Sequence, residues 1–208
     1  GQNAFNFFSE FNVESGITAN MMLPDGTVNL INLVRGNQTV VDGVLNSIKD
    51  GSIGGNVYFA NPNGFLISST GIVNVGSLSL STPTAGFIDS FFLSPGNPDD
   101  AAVSSFLSGT APRNGTGGIS VLGKINAIDG VMLSAGTINV GGSLYSGANF
   151  IGTAPDFTDV VNVNGLEPAT NVVAREGRIE IVADSSVNIS GVVAAPGSAD
   201  VDAGDIEV

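Results

Sequence analysis

Two acidic residues stand side by side in only one place, Asp99-Asp100. Paired carboxylates can carry out glycoside hydrolysis when they flank a bond from opposite sides. Neighbours in the first turn of a helix diverge, however, and acids there complement the positive helix end. Asp99 and Asp100 are therefore read as helix-terminus acids. The acids Asp200, Asp202, Asp205 and Glu207 alternate with apolar residues and read as the outward face of strands, without the Gly-Gly-x-Gly-x-Asp repeat of calcium-binding solenoids. The chain has no His and no Cys, which excludes Ser-His-Asp and Cys-His nucleophiles, thiolate or imidazole metal sites, and disulfides. Only Lys49 and Lys124 are lysines, and a net charge of −13 repels the anionic glycans that polysaccharide lyases cut. With 6 Lys and Arg, the chain lacks the electrostatic footprint of a nucleic-acid binder. The reading is non-enzymatic, with no cofactor and no catalytic residue.

The segment with the most pronounced local chemistry is Asn61-Pro62-Asn63-Gly64-Phe65. Pro62 presets φ at the second position of a turn, Asn63 tolerates unusual φ, and Gly64 leaves without a Cβ clash. An aromatic segment, Phe5, Phe7, Phe8 and Phe11, is the second candidate. It could be a partner-binding patch. Phe5, Phe7 and Phe11 share a parity along a strand, which points them into a core and leaves Phe8 exposed or under an external segment.

The elements that must position these residues are short strands. The 208 residues are 42% hydrophobic and 12% charged, with 29 Gly, and the apolar period is two almost everywhere. No apolar run approaches the ~18 residues of a membrane span. One repeat reads Gly, variable, β-branched, variable, apolar, as in Gly55–Phe59, Gly177–Ile181 and Gly204–Val208. A second reads Gly, variable, β-branched, Asn, Val, Gly, in Gly71–Gly76 and Gly136–Gly141, with weaker copies at Val161–Gly165 and Val187–Gly191. Short repeated strands with Gly punctuation suit a β-solenoid, with Gly in positive-φ corners and Asn stacking in ladders at the turns. At ~20–25 residues per coil, the chain predicts about nine coils and a rod on the order of 40 Å. The fold class is all-β: a right-handed parallel β-helix, residues 1–208 forming one domain, with short extra-helical elements.

Two stretches break the repeat. In residues 87–117, the pattern predicts one short helix near 97–107, with Asn97 as N-cap, Pro98 at the first position, and an apolar face of Val103, Phe106 and Leu107. Ala148 to Thr170 reads as a second excursion. The chain begins with Gly and closes on the start of a further coil, so it reads as part of a longer protein.

Residues 5–82 resemble the N-terminal secretion domain of two-partner secretion (TPS) exoproteins, typified by filamentous haemagglutinin. Phe5-Asn6-Phe7-Phe8-Ser9-Glu10-Phe11-Asn12-Val13 is similar to that family's Phe-His-Ser-Phe…Phe-x-Val segment. Gly36-Asn37-Gln38-Thr39-Val40-Val41-Asp42-Gly43 is similar to its Gly-x-x-Ser-x-Ile-x-Gly segment. Asn56 to Leu66, then Val73-Asn74-Val75-Gly76-Ser77-Leu78 and Ser81-Thr82, are close to its Asn-Pro-Asn-Gly-Ile motif and the following Val-Gly-Ser-Leu…Ser-Thr. The departures are Asn6 in place of the His, Leu33 (with Arg35 nearby) in place of an Arg, Phe65 in place of the Ile, and only four residues ahead of Phe5, where the family has capping strands.

The resemblance implies an adhesin-type exoprotein secreted to, or held at, the surface of a Gram-negative bacterium by way of the periplasm. It implies recognition by the periplasmic POTRA domains of an outer-membrane TpsB-type transporter, then β-helix folding outside the cell. Residues 61–65 would be the recognition and fold-nucleation signal. A monomer is expected. The alternatives are a passive module binding a host-cell glycan or protein, and, behind it, a polysaccharide-degrading β-helix enzyme.

Overall fold

The computed structural model describes residues 2–147, 177–197 and 202–208. The first coil comprises β1 (Asn3–Phe8), β2 (Asn12–Val13) and β3 (Thr18–Met22). The second comprises β4 (Asn29–Val34), β5 (Thr39–Val41) and β6 (Val44–Lys49), closed by a small antiparallel flap, β7 (Ser52–Ile53). The third runs through β8 (Asn56–Ala60), β9 (Phe65–Ile67) and the first half of β10 (Ile72–Ser81). The second half of β10 opens the fourth coil, which is interrupted by residues 83–117. That excursion holds α1 (Ala85–Asp89), the hairpin β11 (Phe92–Ser94) and β12 (Asn97–Pro98), and α2 (Asp100–Leu107). The coil resumes with β13 (Gly118–Val121) and closes in the first part of β14 (Lys124–Val140), whose remainder forms the fifth coil together with β15 (Ser143–Ser146). After the segment outside the described residues come β16 (Arg178–Ile189), β17 (Val192–Ala194) and β18 (Asp205–Glu207).

Every pairing between coils is parallel. One face stacks β1, β4, β8, β10, β14, β16 and β18. A second stacks β2, β5, β9, β13, β14 and β16. A third stacks β3, β6, β10, β14, β15 and β17. The fold is an all-β parallel β-helix. The described residues give seven levels along the first face rather than nine coils, because the first coils are longer than expected, 26 and 27 residues, and the excursion takes chain out of the rod. At about 4.8 Å per level the rod is roughly 30 Å long.

Repeat copies stack as the sequence pattern requires. Arg178–Glu180 lie in register with Asp205–Glu207, and Ile138–Val140 with Val187–Ile189. The inward residues form one core, including Val57, Phe59, Phe65, Val73, Ile125, Leu133 and Ile179, all at most 1% exposed. Some turn glycines take the expected positive φ, among them Gly16, Gly55 and Gly64, but one column of corner glycines does not. Gly71, Gly123, Gly142 and Gly191 succeed one another at one corner without positive φ. A Cβ on each of the last three would overlap the carbonyl oxygen of the glycine one level below. Here glycine is selected for close backbone approach between coils rather than for φ.

The asparagine ladders form within strands rather than at turns. Asn46 donates from Nδ2 to Asn20 Oδ1 at 2.8 Å, Asn74 to Asn46 at 2.9 Å and Asn126 to Asn74 at 2.8 Å. Shorter ladders join Asn56 to Asn29 to Asn3, and Asn188 to Asn139. In all of these the amide donates to the earlier coil. Asn6 is the exception: it donates forward to Asn32 at 2.9 Å, because the Asn32 amide is committed to the Leu30 and Tyr58 carbonyls.

The excursion corrects the helix expectation. α2 begins at Asp100, and Asp99, not Asn97, is its N-cap, accepting from Ala101 N at 2.8 Å. Asn97 and Pro98 sit in β12, where extended backbone precedes the cap. A second helix, α1, is capped by Thr84, whose hydroxyl accepts from Phe87 N. The expected excursion at 148–170 and residue Asp200 lie outside the described residues.

Candidate functional site

The Asn61–Gly64 turn closes where coils two, three and four meet. Gly64 N donates to Asn61 O at 3.0 Å, forming the turn, and Asn61 Oδ1 accepts from Asn63 N at 2.9 Å. Asn61 is fully buried. Its Nδ2 donates to Asn37 O at 2.9 Å and to Thr39 Oγ1 at 3.0 Å in the coil below. Its backbone N–H donates to Ser81 O at 3.1 Å in the coil above. Pro62 is buried, and its carbonyl accepts from Asn114 Nδ2 at 2.9 Å, where the excursion returns to the rod. Gly64 has φ 90°, and a Cβ there would overlap the Gly118 carbonyl oxygen. Unlike the expectation, Asn63 keeps a negative φ; only Gly64 needs the left-handed region. Phe65 is 1% exposed and meets Phe59 edge-on, with centroids 6.4 Å apart.

Of the five motif residues, Asn63 alone has an exposed side chain. Its Nδ2 donates to the Gly36 carbonyl and, more distantly, to Arg35 O at 3.4 Å. The motif is thus a three-level staple: one buried amide satisfies the corner of the preceding coil while its glycine admits the following one. The Gly36–Gly43 segment is its seat, through Gly36, Asn37 and Thr39.

The aromatic segment divides differently from the parity argument. Phe8 and Phe11 pack against the solenoid core, with Phe11 against Phe59 at 5.1 Å. Phe5 and Phe7 point outward; Phe7 is 48% exposed. The strand ends at Phe8, so parity does not carry through the corner to Phe11. Phe5 and Phe7 meet Phe92 of the hairpin edge-on, at 5.8 and 6.3 Å. Outward-facing Ile31, Leu33 and Ala60 join Ile88, Phe91, Val103 and Phe106 in a second core beneath the excursion. The sequence carried a signal for this: Leu30-Ile31 and Leu33-Val34 are apolar on both parities, the mark of a strand covered on both faces.

Among the described residues the carboxylates do not converge. Asp99 caps α2, and Glu180 and Glu207 flank Arg178 at 3.1 and 3.7 Å at the surface. Burial raises the pKa of the Tyr58 hydroxyl above the usual 10.0. Comparison of the chain with family models, with curated proteins and with solved structures finds no match.

Proposed function

We propose that the chain is a non-enzymatic secretion domain of an adhesin-type exoprotein of the TPS kind. In this reading a TpsB-type outer-membrane transporter recognises it in the periplasm through POTRA domains, and the domain starts β-helix folding at the cell surface. The carrying observation is the position of the Asn61–Phe65 turn. It lies early in the chain, ties three successive coils, and follows the other two segments on which the family resemblance rests, in the family's order. A parallel β-helix adds coils by nearest-neighbour contacts, so folding can follow emergence from a pore and bias the chain outward.

Burial of the motif sets a condition on recognition. Asn61, Pro62, Gly64 and Phe65 are inaccessible once the coils have formed. A transporter that reads this motif as a whole must therefore meet the chain before coil three closes.

The test is export. Residues 1–208 are fused to a periplasmic signal and co-expressed with transporters of this class, alongside Asn61→Ala and Asn63→Ala. Transporter-dependent export that both variants lose is the expected result. Folded protein accumulating in the periplasm with every transporter overturns the reading and favours a passive module binding a glycan or host protein.

A further inference from the structure

The outward face of β8, β10, β14 and β16 holds a small hollow beside the end of α2. Strand register builds it as a grid. Ser77 lies between Asn56 and Gly130, and Gly130 lies beside Arg178. Two residues on, Ser79 lies between Tyr58 and Met132, and Met132 lies beside Glu180. Gly130 brings no side chain, and a Cβ there would meet only Arg178 within 4 Å, so the middle of the grid is sunk below its rim. Leu107 of α2 walls one side. The hollow measures about 160 Å³, room for one ring-sized ligand.

Three hydroxyls line it without partners. Tyr58 Oη, Ser77 Oγ and Ser79 Oγ make no hydrogen bond among the described residues. Ser79 is only 7% exposed. A hydroxyl so nearly buried and still unpaired costs stability unless something outside the fold bonds to it. The backbone offers nothing further. All four strands are paired on both sides at these residues, so the hollow presents side chains alone.

We propose that this hollow binds one neutral pyranose unit of a glycan. Hydroxyls donate and accept, as do those of a sugar, so the three unpaired groups suit a ligand of their own kind. Leu107 and Met132 give apolar surface for the C–H groups of the ring. At the rim the Arg178 guanidinium donates to Glu180 at 3.1 Å and lies 3.7 Å from Glu207, so it brings no net positive charge. A phosphate or carboxylate ligand would meet those two acids on a chain of net charge −13. A peptide strand would need free backbone groups, which the paired strands lack. Adjacent sugar hydroxyls need neither charge nor backbone: one can donate to Glu180 while its neighbour accepts from Arg178. The inference goes beyond export and concerns a surface separate from the Asn61–Phe65 turn, so the secretion assay does not bear on it.

The test uses the isotope-labelled 208-residue chain and the methyl glycosides of glucose, galactose, mannose and N-acetylglucosamine, with glucuronic acid as the anionic comparator. At least one neutral glycoside should shift the amide signals of Ser77, Ser79, Gly130 and Met132 saturably below about 50 mM, and glucuronic acid should bind at least about threefold more weakly. Ser79→Ala and, independently, Tyr58→Phe should each weaken that binding about three- to tenfold. Neither should lower the urea midpoint, because neither removes a hydrogen bond made within the fold. Ser120→Ala, an outward serine on the second face, should change binding less than about twofold. No saturable shift with any neutral glycoside, equal or tighter binding of glucuronic acid, equal loss through Ser120→Ala, or a urea midpoint lowered by both hollow variants would each overturn the proposal.

Discussion

Asn126 donates its side-chain amide to Asn74 at 2.8 Å, although 52 residues separate them in the chain. Asn74 and Asn46 make the same contact at 2.9 Å across 28. The ladder passes the whole excursion as if it were one ordinary coil. Three of its four members are fully buried, and it ends on Asn126 Oδ1, which has no hydrogen-bond partner among the described residues.

Asn74 should therefore be among the most sensitive polar positions. Asn74→Leu leaves Asn46 Oδ1 and Asn126 Nδ2 buried without partners. Each orphan costs about 1–3 kcal/mol, so a loss of roughly 2–5 kcal/mol is expected in urea unfolding. A loss below about 1 kcal/mol would mean that water or relaxation replaces the ladder.

The two asparagines of the turn should separate cleanly. Asn61→Ala removes three side-chain hydrogen bonds from a buried site and should cost about 2–4 kcal/mol. Asn63→Ala, at an exposed position, should cost less than about 1 kcal/mol. Loss of export in Asn63→Ala with stability intact is thus the informative arm of the secretion assay.

Phe91 holds the excursion to the rod. It is fully buried and meets Phe5, Phe87, Phe92 and Phe106. Phe91→Ala should cost about 3–5 kcal/mol, and Phe7→Ala under about 1 kcal/mol. Limited proteolysis should cut Phe91→Ala first within 85–110 if the second core opens independently of the first. Simultaneous cleavage throughout the chain would show one cooperative unit.

Alkaline pH should expose Tyr58. Its folded pKa is raised by burial, so the fold favours the neutral hydroxyl. The contribution is complete below the unfolded value of about 10 and is lost as pH climbs through the folded one, because the unfolded chain releases its proton first. Between pH ~9 and ~11, Tyr58→Phe should lose less stability than the parent chain. Equal losses would place the alkaline sensitivity elsewhere.

The sequence made the rod legible and its exterior less so. Alternating Val, Ile and Leu between glycines reports strands facing a core, and copies such as Gly177–Ile181 and Gly204–Val208 do stack. The turn at 61–64 was readable because Pro and Gly have narrow backbone meanings. The reach of the Asn61 side chain to Asn37 and Thr39 was not, since it depends on register between coils. Phe5 and Phe7 share a face as parity requires, but that face looks away from the rod core, and Phe5 packs against the second core instead. Parity says that two side chains share a face, but only the placement of Phe91 and Phe92 makes the outer face an apolar one. At Gly71, Gly123 and Gly142 the backbone needs no unusual φ, and the demand for glycine comes from the nearness of the adjacent coil, which local sequence does not show.

The second core also imposes an order in time. Every residue on its seat (Phe5, Ile31, Leu33, Tyr58 and Ala60) precedes the cover that closes it, which ends with Phe106, Leu107 and Ala111. A chain delivered amino end first must therefore display three coils' worth of bare oily surface until its hundred-and-eleventh residue arrives. Whatever handles the chain in that interval meets a sticky intermediate rather than the finished rod. An interruption before Ala111 would leave that surface incompletely shielded.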